Sequence, residues 1–218
     1  MWRKYRWIGL VLLVASAARG AEGVKVNRPA PSVEHRRFDR EHPPSDMPPL
    51  EPQEAAVTKS VFGIATQFSV QVISDEKRGG KTAAKVKVTN VILDLSMKIT
   101  VWVPTDATRV IIDHEEGHRQ ISEYFYKDAE KVARNIAQKY VGQVYDAEGS
   151  DAESASRAAL DKAINELSQK YMAETQNLSV RANEIFDEIT QHSRNQNISV
   201  EKAVKQSIER AKKEKEKK

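Results

Sequence analysis

The sequence predicts an α+β fold: an N-terminal antiparallel sheet packed on a long helix that carries a HExxH pentamer, followed by a helical C-terminal half. Three observations predict it. Apolar residues alternate with polar ones over 62–72 and again over 91–103, the period-2 mark of strands with one wet face. From Thr105 the period changes to 3.6, with Ile111, His114, His118, Ile121, Phe125, Ala129, Val132, Ile136 and Tyr140 on one stripe. Beyond Gly149-Ser150 three further helical patterns follow.

Taken in order, Met1–Arg6 is positive and Trp7–Ala18 is an apolar run too short to span a bilayer. Small residues follow it, so residues 1–20 read as a secretory signal peptide cleaved near Gly20, which places the mature chain outside the cytoplasm, secreted or periplasmic. Seven of the eight prolines fall between Pro29 and Pro52, among charges, so residues 21–56 read as an extended or disordered leader. The folded body is expected over 57–198. Phe62, Ile64, Phe68, Val70 and Val72 sit on even positions, and Gly79-Gly80 marks a hairpin tip. The inward set then moves to odd positions from Val91 to Val103, which implies a bulge or a new strand at Asn90-Val91. Pro104 ends the sheet. Thr105 or Asp106 is placed to cap a helix running to about Asp146. A second helix spans about 152–175, Ser179 is placed to cap a third, and Ser199 a fourth that fades into the basic tail, residues 199–218.

Composition removes several classes of function. With no cysteine there is no disulfide scaffold, thiolate zinc site or cysteine nucleophile. The net charge of +4 is held by Arg3, Lys4, Arg6 and Arg19 in the first twenty residues, and the last eight add five lysines against two glutamates. The body between is acidic, so a nucleic-acid partner is not expected. No Gly-rich phosphate loop follows a strand.

The motif with chemistry in it is His114-Glu115-Glu116-Gly117-His118. Histidines four apart share one helical face one turn apart, where both imidazoles reach a single cation. That face is also the apolar stripe, and two protonated imidazoles there would repel, whereas a metal holds both neutral. Glu115 sits to the side, placed to take a proton from a water polarised by the metal and hand it to a leaving amine. The reading is one Zn2+ per chain on His114 and His118, with Glu115 as the catalytic base and a polypeptide or other cell-envelope substrate. A catalytic zinc takes a third protein ligand. The extended pattern fails at Ile121 and Tyr124, and Glu166, Glu184 and His192 remain as candidates. Tyr124, Tyr126, Tyr140 and Tyr171 are candidate donors to a reacting oxyanion.

DHEEGHRQISEYFYKDAEKVARNI, followed by ALDKAINELSQKYMAET, resembles a family of bacterial secreted zinc proteases known as domain of unknown function 922. The resemblance covers about Val57 to Thr190. It implies that His114 and His118 are metal ligands, that Glu115 is the general base, and that Tyr171 and Thr175 belong to a second motif. There Met172 stands for an Asp, Asn177 for a His and Leu178 for a Gly, which adds Asn177 to the third-ligand candidates. The expected function is an exported zinc-dependent metallopeptidase. The alternative is a non-catalytic cell-envelope interaction protein, or an inactive relative that keeps the His pair.

Overall fold

A computed structural model describes residues 23–217; the signal peptide read at 1–20 lies outside them. The elements in chain order are β1 (Gly23–Asn27), β2 (Ser32–Phe38), β3 (Val57–Arg78), β4 (Lys81–Pro104), α1 (Arg109–Lys127), α2 (Ala129–Ala137), β5 (Val144–Gly149), α3 (Ala152–Glu174), α4 (Gln176–Thr190) and α5 (Val200–Glu216). The class is α+β, with α1 to α5 all following the β3–β4 hairpin.

The sheet differs from the expected one. β1 and β2 run parallel to β4, and β5 runs antiparallel to it. The alternation of wet and dry residues reports which face of a strand is buried, not its direction, so it served the wrong pairing equally well. β1 and β2 also fall inside the segment expected to be a disordered leader. Pro29 and Pro31 lie between these strands and Pro43 follows both, so the prolines flank the strands without interrupting a ladder.

β3 and β4 meet at Gly79-Gly80, whose φ of 55° and 82° are the left-handed pair that a two-residue hairpin turn requires. The change of parity near Asn90 occurs within one continuous strand: Thr82, Ala84, Val86 and Val88 are buried before it, Val91, Leu93, Leu95, Met97 and Ile99 after it. The helix expected to reach Asp146 ends at Lys127, where Asp128 leaves helical geometry (φ −96°, ψ 3°). α2 is separate, Gly142 (φ 82°) turns the chain, and 144–149 pairs with Thr82–Lys87 as a strand. The N-cap of α1 is Thr108, and its side chain makes no capping bond. α3 lies where expected. Thr175, not Ser179, precedes α4, whereas Ser199 caps α5 as expected, its Oγ accepting the N–H of Lys202 at 3.3 Å.

The chain forms two compact units. Among the described residues, the first comprises 23–29 with 63–95 and 130–171, and the second comprises 30–62, 96–129 and 172–217. In the first, Val86, Val88, Val91, Leu93, Leu160, Leu167 and Tyr171 are fully buried or nearly so, and Phe68 meets Tyr140 at 5.9 Å between ring centroids. In the second, α1, α4 and α5 pack on one another. The sheet strands of this unit touch α1 through Phe62 against Tyr126, and His35 Nε2 lies 2.6 Å from Glu116 Oε1.

Candidate metal centre

All the residues of the candidate centre belong to the second unit. α1 buries His114, Glu115, Gly117, Ile121, Ser122, Phe125 and Tyr126, so the histidine pair lies on its inward face as the 3.6 period requires. α4 buries Ser179, Ala182, Ile185 and Phe186. The two helices approach closely because residue 117 has no side chain. A Cβ there would stand 2.5 Å from Cζ of Phe186 and 3.1 Å from Cγ1 of Val200. Phe186 is fully buried; its ring stacks on His114 (4.9 Å, 20°) and meets His118 edge-on (5.0 Å, 80°). Gly117→Ala therefore displaces the ring that orients both imidazoles. The expected cost is about 1–3 kcal/mol, read as a lower midpoint in thermal unfolding.

The two Nε2 atoms lie 3.2 Å apart. Oδ1 of Asp187, on α4, is 3.2 Å from Nε2 of His114 and 3.1 Å from Nε2 of His118. Ligands held about 2.0–2.1 Å from a tetrahedral zinc stand roughly 3.3 Å from one another, so this near-equilateral triangle has the dimensions of three corners of such a shell. Oδ1 is buried, with the ring nitrogens of both histidines beside it. Three atoms able to ligate a cation thus converge on one point. The atoms of His114, Glu115 and His118 that are able to ligate also lie within 4.8 Å of one another.

Outer contacts fix the orientation of His118. Nδ2 of Asn183 donates to the Ser179 carbonyl at 2.9 Å, which turns Oδ1 of Asn183 toward Nδ1 of His118 at 2.7 Å. Nδ1–H of His118 is therefore the donor, and Nε2 is the atom presented to the triangle. Ser179 Oγ donates to Ser122 Oγ, which in turn donates to the His118 carbonyl. Asn183 and Asp187 are four apart, so one face of α4 supplies both the orienting amide and the third corner. Nδ1 of His114 is buried with no hydrogen-bond partner among the described residues.

Charge in the cluster is strongly coupled. Burial disfavours the Asp187 carboxylate, but His114 and His118 beside it outweigh burial and hold it ionised. Burial likewise opposes a charge on His118, yet Asp187, with help from Glu115 and Asn183, raises its pKa to about 9. Without metal, a proton on Nε2 of His118 occupies the place of the cation. Metal uptake must expel that proton, so affinity is expected to rise about tenfold per pH unit up to about pH 9 and then level off. Titration calorimetry near pH 7.5, in buffers of different ionisation enthalpy, should read about one proton released per metal. The pKa of Glu115 is raised, burial being the main cause, against the pull of His118, Thr58 and His114. Thr58 Oγ donates to Oε2 of Glu115 at 2.7 Å.

No protein-family model, curated protein or solved structure matches this chain. The centre is therefore described by its own geometry.

Of the third-ligand candidates read from sequence, Glu166 lies in the first unit and pairs with Lys170 at 2.6 Å, and Glu184 pairs with Arg181 at 3.0 Å. Asn177 is exposed in the first turn of α4. His192 is near: its Nδ1 is 3.5 Å from Oδ1 of Asp187. Among the tyrosines, Tyr124 accepts a hydrogen bond from Lys212, Tyr126 packs on Phe62, and Tyr140 and Tyr171 belong to the first unit. The sequence assigned no role at the centre to Asp187, Asn183, Phe186, Gly117 or Thr58. A usable signal exists for two of them: Ser179, Asn183 and Asp187 form a polar row at spacing four beside the apolar row of α4.

Proposed function

We propose that this chain is an exported zinc-dependent metallopeptidase whose metal is held by His114, His118 and Asp187. The observation that carries the reading is the buried oxygen of Asp187, 3.1 and 3.2 Å from the two Nε2 atoms. Two neutral imidazoles and one carboxylate are a donor set suited to zinc, leaving one negative charge to offset the cation. The resemblance of the α1 text to bacterial secreted zinc proteases supports the same reading.

A bound zinc supplies Lewis acidity toward a scissile carbonyl and lowers the pKa of water. The remaining work falls to the chain. Asn183 holds the His118 ring so that Nε2 faces inward, and Phe186 holds the His114 ring. Thr58 anchors Oε2 of Glu115, which leaves Oε1 as the oxygen to take a proton from water. Burial raises the pKa of that carboxyl toward the range in which it both accepts a proton and returns it to the departing amine nitrogen. The substrate is a polypeptide or another amide of the cell envelope, as expected for an exported hydrolase with this base.

The test is zinc content by mass spectrometry of the chain from residue 21 onward, beside the His114→Ala/His118→Ala double variant. About one zinc per wild-type chain and none in the variant is expected. Zinc absent from both, with equal circular dichroism, sinks the reading.

A further inference from the structure

The Asp187 oxygen has a third imidazole beside it. Nδ1 of His192 lies 3.5 Å from Oδ1, against 3.2 and 3.1 Å for the nitrogens of His114 and His118. All three distances are close to the roughly 3.3 Å that separates ligands of one tetrahedral zinc.

The backbone that carries His192 is unusual. Gln191, His192 and Ser193 have φ of 51°, 52° and 70°, three successive non-glycine residues in the left-handed region. One such residue is enough to end a helix, and Gln191 already does so, its N–H returning to the Asp187 carbonyl. The two that follow each add backbone strain. His192 N–H also returns to the Asp187 carbonyl, at 3.4 Å, and Asn195 ties down the far side by donating to the Thr190 and Ile189 carbonyls, each at 2.9 Å. The segment is thus curled over the end of α4, on the side of Asp187.

We propose that His192 is a fourth protein ligand that closes the metal centre in the resting protein, and that the strained Gln191–Ser193 segment lets it withdraw to admit water and substrate. This rests on the metal-centre reading above and adds its regulation. Zinc with four protein ligands is a closed, structural arrangement, whereas a catalytic zinc keeps one position open. His192 is the member suited to leaving. It is the one ring of the three outside a helix, and its side chain is 23% exposed against 8% for His114 and 13% for His118. Its departure exchanges one neutral donor, Nδ1, for another, a water oxygen, so the charge of the centre is unchanged. Relief of backbone strain offsets part of the lost coordination.

The experiment loads the wild-type chain and His192→Asn with Co2+ and titrates each with acetohydroxamate, reading the visible absorption of the metal. Asn tolerates the left-handed conformation but does not replace the imidazole, so the fold is retained. The expected result is Co2+ affinity about tenfold or more lower in the variant, together with hydroxamate binding about tenfold or more tighter than in wild type. Equal Co2+ affinity and equal hydroxamate binding in the two proteins overturns the proposal and leaves the three-ligand centre standing. Failure of the wild-type chain to bind Co2+ overturns the metal centre itself, and the closure with it.

Discussion

Glu115→Gln is expected to abolish peptide hydrolysis while the chain keeps its zinc. The amide has nearly the volume of the carboxyl, and its oxygen still accepts from Thr58 Oγ, which lies 2.7 Å from Oε2 in the native chain. The fold therefore has no reason to change. What is lost is the ability to carry a proton from water to the leaving nitrogen, worth about 10²–10⁴ in rate. Turnover of a peptide library and zinc content, measured on the same preparation, check this. Zinc retained with activity unchanged would remove Glu115 from the chemistry. The substitution also takes a buried carboxylate out of the field of His118, one of the groups that raise its pKa. Proton release on metal uptake should accordingly become smaller at pH 9.

Asp187→Asn is expected to empty the centre. The side chain keeps its shape, but its anionic donor becomes a weak neutral one, and only neutral donors then face the cation. Loss of zinc affinity should exceed the 10–100-fold that follows from disturbing an outer hydrogen-bond partner such as Asn183. Glu166→Gln and Glu184→Gln serve as comparisons. Each carboxylate is engaged by its own cation, Lys170 or Arg181, and each replacement should leave affinity within about twofold of wild type. Competition with a chromophoric chelator measures all four proteins. Equal affinity in Asp187→Asn and wild type would remove Asp187 from the shell.

The sequence conveyed the parts of this protein that depend on local repetition. α3 and α5 follow from a 3.6 period with clear stops, the hairpin from Gly79-Gly80, and the histidine pair from its spacing of four on a buried face. What it did not convey depends on partners distant along the chain. β1 is only five residues long, and β2 is polar at most positions, with Glu34, His35, Arg36 and Arg37, so it carries little alternation of its own. Their place is set by pairing with β4, which no local pattern displays. The break between α1 and α2 is similar: the apolar stripe continues across Asp128, and only the backbone there shows that the helix ends. Asp187 was masked differently. It stands among Glu184, Glu188 and Arg181, the composition of a solvated helix face, and one register of the helix separates it from them.

The centre is joined from pieces remote in sequence. Thr58, the His114–His118 turn and the Asn183–His192 stretch come from three separate segments of the second unit, and the His118–Asn183 contact alone spans 65 residues. Contacts of such separation form late, after the loop-closure entropy of the intervening chain has been met. In between, the chain leaves the second unit to complete the first and returns at Met172. Synthesis from the N-terminus therefore delivers the two histidines well before the aspartate. An emerging chain has half a binding site, so on the proposed reading a zinc ion is captured only once folding has brought α4 against α1. From that moment mass action would lock the assembly, adding about 4 kcal/mol when free metal is a thousandfold above its dissociation constant. Metal occupancy, on that reading, is a record of completed folding.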